Sequence, residues 1–400
     1  MSRFLKVLKL SILTRLMSMD KSLLAKKSKN YAAEKLWLIL YSTIFVIGFL
    51  CYVFGGSVLP GVFMVAMLLS SVLVLVDGIK KNELLTAVFF LFLFLFGALI
   101  TSKESERLAI IVNSFIFFAS FLLSCHLIKK RVVVNFSIFS FLFSHLYFLG
   151  FVFYCLYKFG TVNENLYNSI FEGNSRNIVS AVLLMTSVFL FFSSYLFKEK
   201  VYLSALVLDL FCSVLLFGRS GIFLSFAVLL LGIYVKFFKG TFLKGAVLCT
   251  MIVLILLVSF AVLGLDEFTS LLDKTNISSG FDTPRFEMWS QYIENMDISR
   301  FFLGGDFFYS PAIMAFNGNP HNSFIMLQSR FGICAIVLFS IMIYRLFFLI
   351  RTDVVLFFLI MILFIRMFFD VFALFGFFDY IWICMLFGLR KNNEAVFYER

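Results

Sequence analysis

Apolar runs separated by short polar intervals make up almost the whole chain, and only one polar interval is long. Twelve hydrophobic segments stand out, at 36–54, 57–76, 84–100, 108–128, 132–157, 177–197, 201–217, 220–238, 245–265, 322–350, 354–369 and 371–389. A helix of about 20 apolar residues crosses a bilayer, so most of these segments are predicted to span. The eleventh is short and is expected to tilt little or to sit where the bilayer is thinned. The long polar interval, 266–321, lies between the ninth and tenth segments. The predicted fold is therefore all-α, a polytopic integral membrane protein with about 12 transmembrane helices and one long loop. No internal repeat or low-complexity linker divides it. Residues 36–400 read as one membrane domain preceded by a basic segment, 1–35.

Composition agrees, with 62% hydrophobic residues, 14% charged and a mean hydropathy of +1.01, well beyond the range of soluble domains. The 59 phenylalanines are expected to serve as packing and lipid-facing bulk. All seven cysteines fall inside apolar runs without a CxxC, which argues against a disulfide framework or a thiolate metal site. A net charge of +11 suggests nucleic acid in a soluble chain, but here it is accounted for by basic cytoplasmic loops. With the N-terminus inside, the basic tail, Lys80-Lys81, Lys129-Lys130-Arg131, Lys198, Lys200 and Arg390-Lys391 share one side. That count predicts both termini in the cytoplasm and the 266–321 loop outside. Residues 1–35 carry nine Lys/Arg among Leu, Ile and Met and read as an amphipathic surface helix rather than a cleaved signal.

Chemistry-bearing residues gather on the predicted outer side. The loop ends in Asn319-Pro320-His321-Asn322 before a new apolar run. Asn is a good N-cap and Pro suits the first helical position, so Asn319 is expected to cap a helix with His321 in its first turn. Such a helix mouth attracts anions. Arg176, Arg219 in the short Gly218-Arg219-Ser220-Gly221 turn, and Arg285 are outward cations that a fold can bring onto one phosphate; Arg300 is a fourth in the loop. Ser323 and Arg330 are seven apart and share a helix face, which places a cation about 10 Å into the span. Arg366 and Asp370 are four apart and can pair, either as structure or as part of a site. Asp209 and Asp379 have no evident partner in the sequence, and His126 and His145 read as packing residues. No HExxH or comparable set of ligands is present, so no metal site is predicted.

The outward RS at 219–220, the PRFEMW segment at 284–289, and PHNSFIMLQSRFG at 320–332 together resemble the O-antigen polymerase and O-antigen ligase superfamily. The HN pair followed by Gly332, eleven residues after the histidine, is the most specific part. The resemblance implies transfer of glycan from an undecaprenyl pyrophosphate carrier at the periplasmic face of the bacterial inner membrane, with no metal or other cofactor. It matches Arg219, Arg285 and His321 to the activity-linked arginines and histidine of the family. It matches the Asn174–Asn177 segment and Asp370 more loosely; Arg176, Asn177 and Asp370, together with Arg300, Asn322 and Arg330 from the reading above, are expected to bind substrate. A polymerase is the first expectation and a ligase acting on lipid A-core the alternative. The implied partners are the lipid-linked glycan, membrane lipids and a chain-length regulator, with no nucleic acid. A flippase for lipid-linked oligosaccharides is the competing class, since twelve spans and intramembrane charges also suit transport. A receptor whose loop only binds ranks lower.

Overall fold

The computed structural model describes residues 32–388 apart from 57, 130–131, 163, 172–174, 199 and 239–283. The basic N-terminal segment up to residue 31, the ninth apolar segment, Cys249, Asn174, the start of the long loop and the C-terminal basic residues lie outside the described residues.

Every regular element among the described residues is helical, as the twelve apolar runs require: in hydrocarbon only a helix satisfies its own backbone. Among the described residues, eight helices are long and apolar enough to cross a membrane. They are α1 (Ala32–Phe54), α2 (Val58–Asp77), α3 (Lys81–Ile100), α4 (Arg107–Leu127), α5 (Val132–Phe159), α7 (Arg176–Lys198), α9 (Arg219–Phe238) and α14 (Ile333–Thr352), with a 3-10 turn, Glu104–Glu106, leading into α4. Two shorter apolar helices join them, α8 (Leu203–Leu215) and α15 (Val354–Phe369), while α6 (Glu164–Asn168) is a single turn between α5 and α7.

The axis of the bundle is α7. Every residue from Ile178 to Ser194 is buried, and α5, α8, α9, α15 and the last helix pack around it. Its hydroxyls bond back along the helix, Thr186 and Ser187 to the Leu183 carbonyl at 2.9 and 3.0 Å, which hides them from the apolar surround. Phenylalanine serves both expected purposes: Phe45, Phe90, Phe94, Phe117 and Phe136 are buried, whereas Phe92, Phe96 and Phe153 face outward.

Two predicted spans are interrupted. The tenth consists of α13 (Ser323–Phe331) and α14, broken at Gly332 with φ 52°. The twelfth is helical only as α16 (Asp379–Phe387), because residues 370–378 run as buried and half-buried irregular backbone in which Leu374 and Phe375 have φ of 60° and 84°. Irregular backbone survives at membrane depth only when protein groups satisfy it. Asp379, which had no evident partner in the sequence, supplies them. Its carboxylate accepts from the Leu374 N–H at 3.1 Å, the Phe375 N–H at 2.5 Å and Trp382 Nε1 at 2.9 Å. Phe375 stacks on Phe331 at 4.8 Å, so the two breaks lock together.

The loop forms a tier over one end of the bundle. It contains α10 (Pro284–Glu294), α11 (Ile298–Leu303), a 3-10 turn (Phe307–Tyr309) and α12 (Pro311–Met314). Met288, Trp289, Tyr292, Phe307 and Ile313 make its small core, against which Ile325, Met326 and Phe369 of the bundle pack. The tier is fastened where chains meet backbone to backbone. Gly305 N–H donates to the Ser329 carbonyl at 2.9 Å, and Ser102 Oγ donates to the Gly304 carbonyl at 2.9 Å. A Cβ on Gly332 would run into the Phe302 carbonyl, and one on Gly304 into the Ser329 carbonyl. At the far end, Asp77 meets His126 at 2.9 Å, Glu83 pairs with Lys129, and Tyr195 donates to Asp353 at 3.1 Å.

Gly332→Ala is expected to destabilise the protein by more than about 1 kcal/mol, since it adds strain at positive φ to a backbone collision. A lowered thermal midpoint in detergent checks this; an unchanged midpoint would show that the tier is not held by this contact.

Candidate functional site

Four stretches far apart in sequence converge at the loop end of the bundle. Arg366, in the last turn of α15, is 1% exposed. Its guanidinium donates to Ser220 Oγ at the start of α9 and to the Asn177 carbonyl at the start of α7, and it lies 3.0 Å from Asp370 Oδ2. That last contact is an ion pair rather than an aligned hydrogen bond, because Oδ2 accepts no well-directed N–H. Asp370 ends the helix, its N–H reaching the Arg366 carbonyl at 3.2 Å and its own carbonyl accepting from Ser323 Oγ at 2.7 Å.

The other carboxylate oxygen of Asp370 faces the loop. Arg285 Nη2 lies 3.4 Å from Oδ1, and His321 Nδ1 lies 3.8 Å from the same atom. Arg285 and His321 are each about one-fifth exposed, so this side of the carboxylate opens outward. Arg285 sits in the first turn of α10, and Trp289 one turn later holds α10 down. Trp289 Nε1 donates to the Pro320 carbonyl at 3.0 Å while its ring meets Phe368 edge-on at 4.6 Å. The PRFEMW and PHN segments are thus bound directly to one another. Arg219 opens α9, close enough to Arg285 for the two cations to repel each other.

The helix start differs from the expectation. Asn322, not Asn319, caps α13: its side chain accepts from the Phe324 and Ile325 N–H groups at 2.9 and 3.1 Å. Asn319 instead accepts from the His321 N–H at 2.9 Å. His321 therefore precedes the cap with φ 47°, a left-handed conformation that histidine adopts more readily than most residues. The second asparagine wins because its side chain reaches two of the orphan N–H groups.

Other expected site residues lie elsewhere. Arg330 does not share a site with Ser323. It pairs with Glu106 at 3.3 Å, in a cluster where buried Lys103 meets Glu106 at 3.4 Å and Asp306 at 4.0 Å. Burial lowers the Lys103 pKa from its ordinary value, and Glu106 partly offsets this. The break at Gly332 keeps α13 short and lets Arg330 face the turn between α3 and α4. Arg300 lies over the Tyr309 ring at 3.8 Å and donates to the Asn295 carbonyl at 2.5 Å, so its contacts fasten the loop. Arg176 opens α7 with its N–H on Asn168 Oδ1 at 3.0 Å, next to Asn177. Sequence reasoning undervalued Arg366, for which the cost of an intramembrane arginine was the available signal. It had no signal for Ser220 as that arginine's partner.

Charge balance separates the two clusters. Lys103 and Arg330 face Glu106 and Asp306, so that cluster is neutral and fastens structure. Among the described residues, Arg366 and Arg285 share the single carboxylate of Asp370, and Arg219 stands near Arg285. The surplus is positive, and such a site suits a multiply charged anion. Among the described residues no group of three or more His, Cys, Asp or Glu is placed to hold a metal. No family model, curated protein or solved structure matches the chain.

Asp370→Asn is expected to cost about 3–5 kcal/mol, because it leaves the Arg366 charge buried without a counter-ion. Arg285→Gln removes a partly exposed cation and is expected to stay within about 1 kcal/mol of wild type. Comparing the two thermal midpoints checks the inward and outward roles of the carboxylate; equal losses would contradict them.

Proposed function

We propose that the protein is a bacterial inner-membrane glycan polymerase, which transfers a growing glycan from an undecaprenyl pyrophosphate carrier to a second lipid-linked repeat unit. The observation that carries this reading is the convergence of Arg285, His321 and Asp370, with Arg219 and Arg366 beside them, at the end of the bundle covered by the loop. The topology that goes with it has about twelve spans, the 266–321 loop in the periplasm and both termini in the cytoplasm.

In the reaction, an acceptor hydroxyl oxygen attacks the anomeric carbon of the donor glycan. The bond from that carbon to the pyrophosphate oxygen breaks, and the diphosphate leaves with the electron pair. Arg219 and Arg285 stabilise the departing charge without a metal. His321 takes the hydroxyl proton as general base; its Nδ1 is turned toward Asp370, which leaves Nε2 for the acceptor. Arg366 and Asp370 hold the helix ends that present these groups. The hydrogen bond from Trp289 Nε1 to the Pro320 carbonyl supports the same reading, because it ties the segment of Arg285 to that of His321.

A ligase that transfers the glycan to lipid A-core uses the same leaving group and differs in acceptor. Deleting the gene and running lipopolysaccharide on a gel separates the two. Core bearing one repeat unit marks a polymerase; bare core with accumulating carrier-linked polymer marks a ligase. Elongation of lipid-linked repeats by purified protein in detergent, where transport has no meaning, excludes the flippase.

Arg219→Ala and Arg285→Ala are each expected to lower transfer by at least about a hundredfold while the protein still inserts. Lysine at either position should restore only part of it, for want of the bidentate fork. His321→Ala should be severely impaired, since it removes the base that takes the acceptor proton. Near-normal polymer from well-expressed alanine variants at two of the three positions would defeat the assignment. Activity is expected to persist in EDTA; loss in EDTA with recovery on magnesium or manganese would count against metal independence.

A further inference from the structure

Helix lengths define the level at which the loop tier meets the bundle. The helices α3 and α14 have 20 residues each. At 1.5 Å per residue each is about 30 Å long, which matches the hydrocarbon thickness of a bilayer. In a membrane their loop ends therefore reach the boundary between acyl chains and headgroups, and tilt draws those ends further in. The short helix α11 is fastened at these two ends. The Ser102 N–H and Oγ, just past α3, donate to the Leu303 and Gly304 carbonyls at 3.4 and 2.9 Å. The Phe302 carbonyl lies against Gly332, immediately before α14. One turn earlier, Gln328 Nε2 donates to the Arg300 and Phe301 carbonyls at 3.0 and 3.2 Å. These contacts hold α11 at the boundary instead of above it.

The two sides of α11 are unlike. Ile298, Phe301 and Phe302 are spaced three and four residues from the first, so they share a helix face. They are 80%, 38% and 48% exposed. Arg300 is on the other side, where its guanidinium turns back to the Tyr309 ring and the Asn295 carbonyl within the tier. Asp297 precedes the helix and caps it, accepting from the Arg300 N–H at 2.7 Å. The outward apolar surface of the bundle comes up to the same place. Leu99, three residues before Ser102, is exposed on α3, and so is Phe96 a turn earlier. Three large apolar side chains presented together mark a contact surface. At this depth, with polar groups turned the other way, the surface they fit is the bilayer interface.

We propose that α11 anchors the loop tier in the membrane, with Ile298, Phe301 and Phe302 inserted among the acyl chains of the leaflet on the loop side. The partner is a phospholipid surface. The tier is then held from two directions, by the bundle through the contacts of residues 300–305 and by the bilayer through the apolar face of α11. This inference needs only that the bundle spans a membrane and is independent of the reaction proposed above.

The test is photo-crosslinking of the full chain in nanodiscs of phosphatidylethanolamine and phosphatidylglycerol. Ile298→benzoylphenylalanine and Phe302→benzoylphenylalanine are made separately, with Phe347→benzoylphenylalanine, on the exposed face of α14, as the lipid-contact reference. Phospholipid adducts at both α11 positions are expected at no less than about one-tenth of the Phe347 yield. Smaller yields, in protein with a normal thermal midpoint, would overturn the proposal. Crosslinks to a second copy of the chain, or to residues 239–283 of the same chain, in place of lipid would also overturn it, because protein would then cover the face. Wild-type protein gives a second measurement. Hydroxyl radicals should oxidise Phe301 and Phe302 in nanodiscs at least about tenfold more slowly than in a free peptide of residues 298–303. Oxidation at the rate of the peptide would overturn the seating without any variant.

Discussion

An arginine inside an apolar bundle is tolerated only when its charge and donors are met, and the terminal nitrogens of Arg366 are met by two other helices and by the end of its own. Ser220, the Asn177 carbonyl and Asp370 come from α9, α7 and the end of α15. Removing any one leaves a buried charge or polar group short of a partner, which costs more than a lost surface contact. The arginine therefore acts as a spacer between helix ends. Because Asp370 offers its second oxygen outward, the same pair also sets where Arg285 and His321 stand.

The loop tier completes that arrangement through close backbone contacts as well as side chains. Gly304 and Gly332 let the loop and α13 approach more closely than any side chain allows, and the Gly305–Ser329 hydrogen bond closes the junction. Lys103, Glu106, Asp306 and Arg330 then tie the tier to the turn between α3 and α4 with matched charges. The two ionic clusters at this end thus differ in kind. The matched one is balanced, whereas around Asp370 the described residues set two arginines against one carboxylate, beside partly exposed groups.

Much of this was legible in the sequence because hydrocarbon imposes so narrow a rule on the backbone. Long apolar runs announced helices, the four-residue spacing announced the Arg366–Asp370 pair, and the polar PHN and PRFEMW segments announced residues that the fold does bring together. What escaped was direction. In a segment apolar on every side, periodicity does not say which face meets which neighbour, so the partners of Arg330, Asp209 and Asp379 could not be read. The breaks at Gly332 and across 370–378 were hidden for the same reason: hydropathy averages over a window and is blind to positive φ. The displaced N-cap was a matter of choosing between two asparagines three residues apart, which only the N–H positions decide.

The bundle's polar interior follows from the position of α7. With 94% of its apolar window buried, α7 has almost no lipid face, so its serines and threonines must meet other helices. Small hydroxyl side chains suit that position, since they allow close approach and bond back to their own helix. They also admit a cost that leucine would not, because any hydroxyl without a partner stays buried. The serines and threonines of α5 and α7 on the far side of His145 each find a partner, whereas the Ser180 hydroxyl, which fills the room left by Gly221, and the Tyr380 hydroxyl, whose ring packs on Phe136, find none among the described residues. One helix thus carries Asn177 beside Arg366 and Ser187 beside the His145–Asp209 pair, with Ser180 between them.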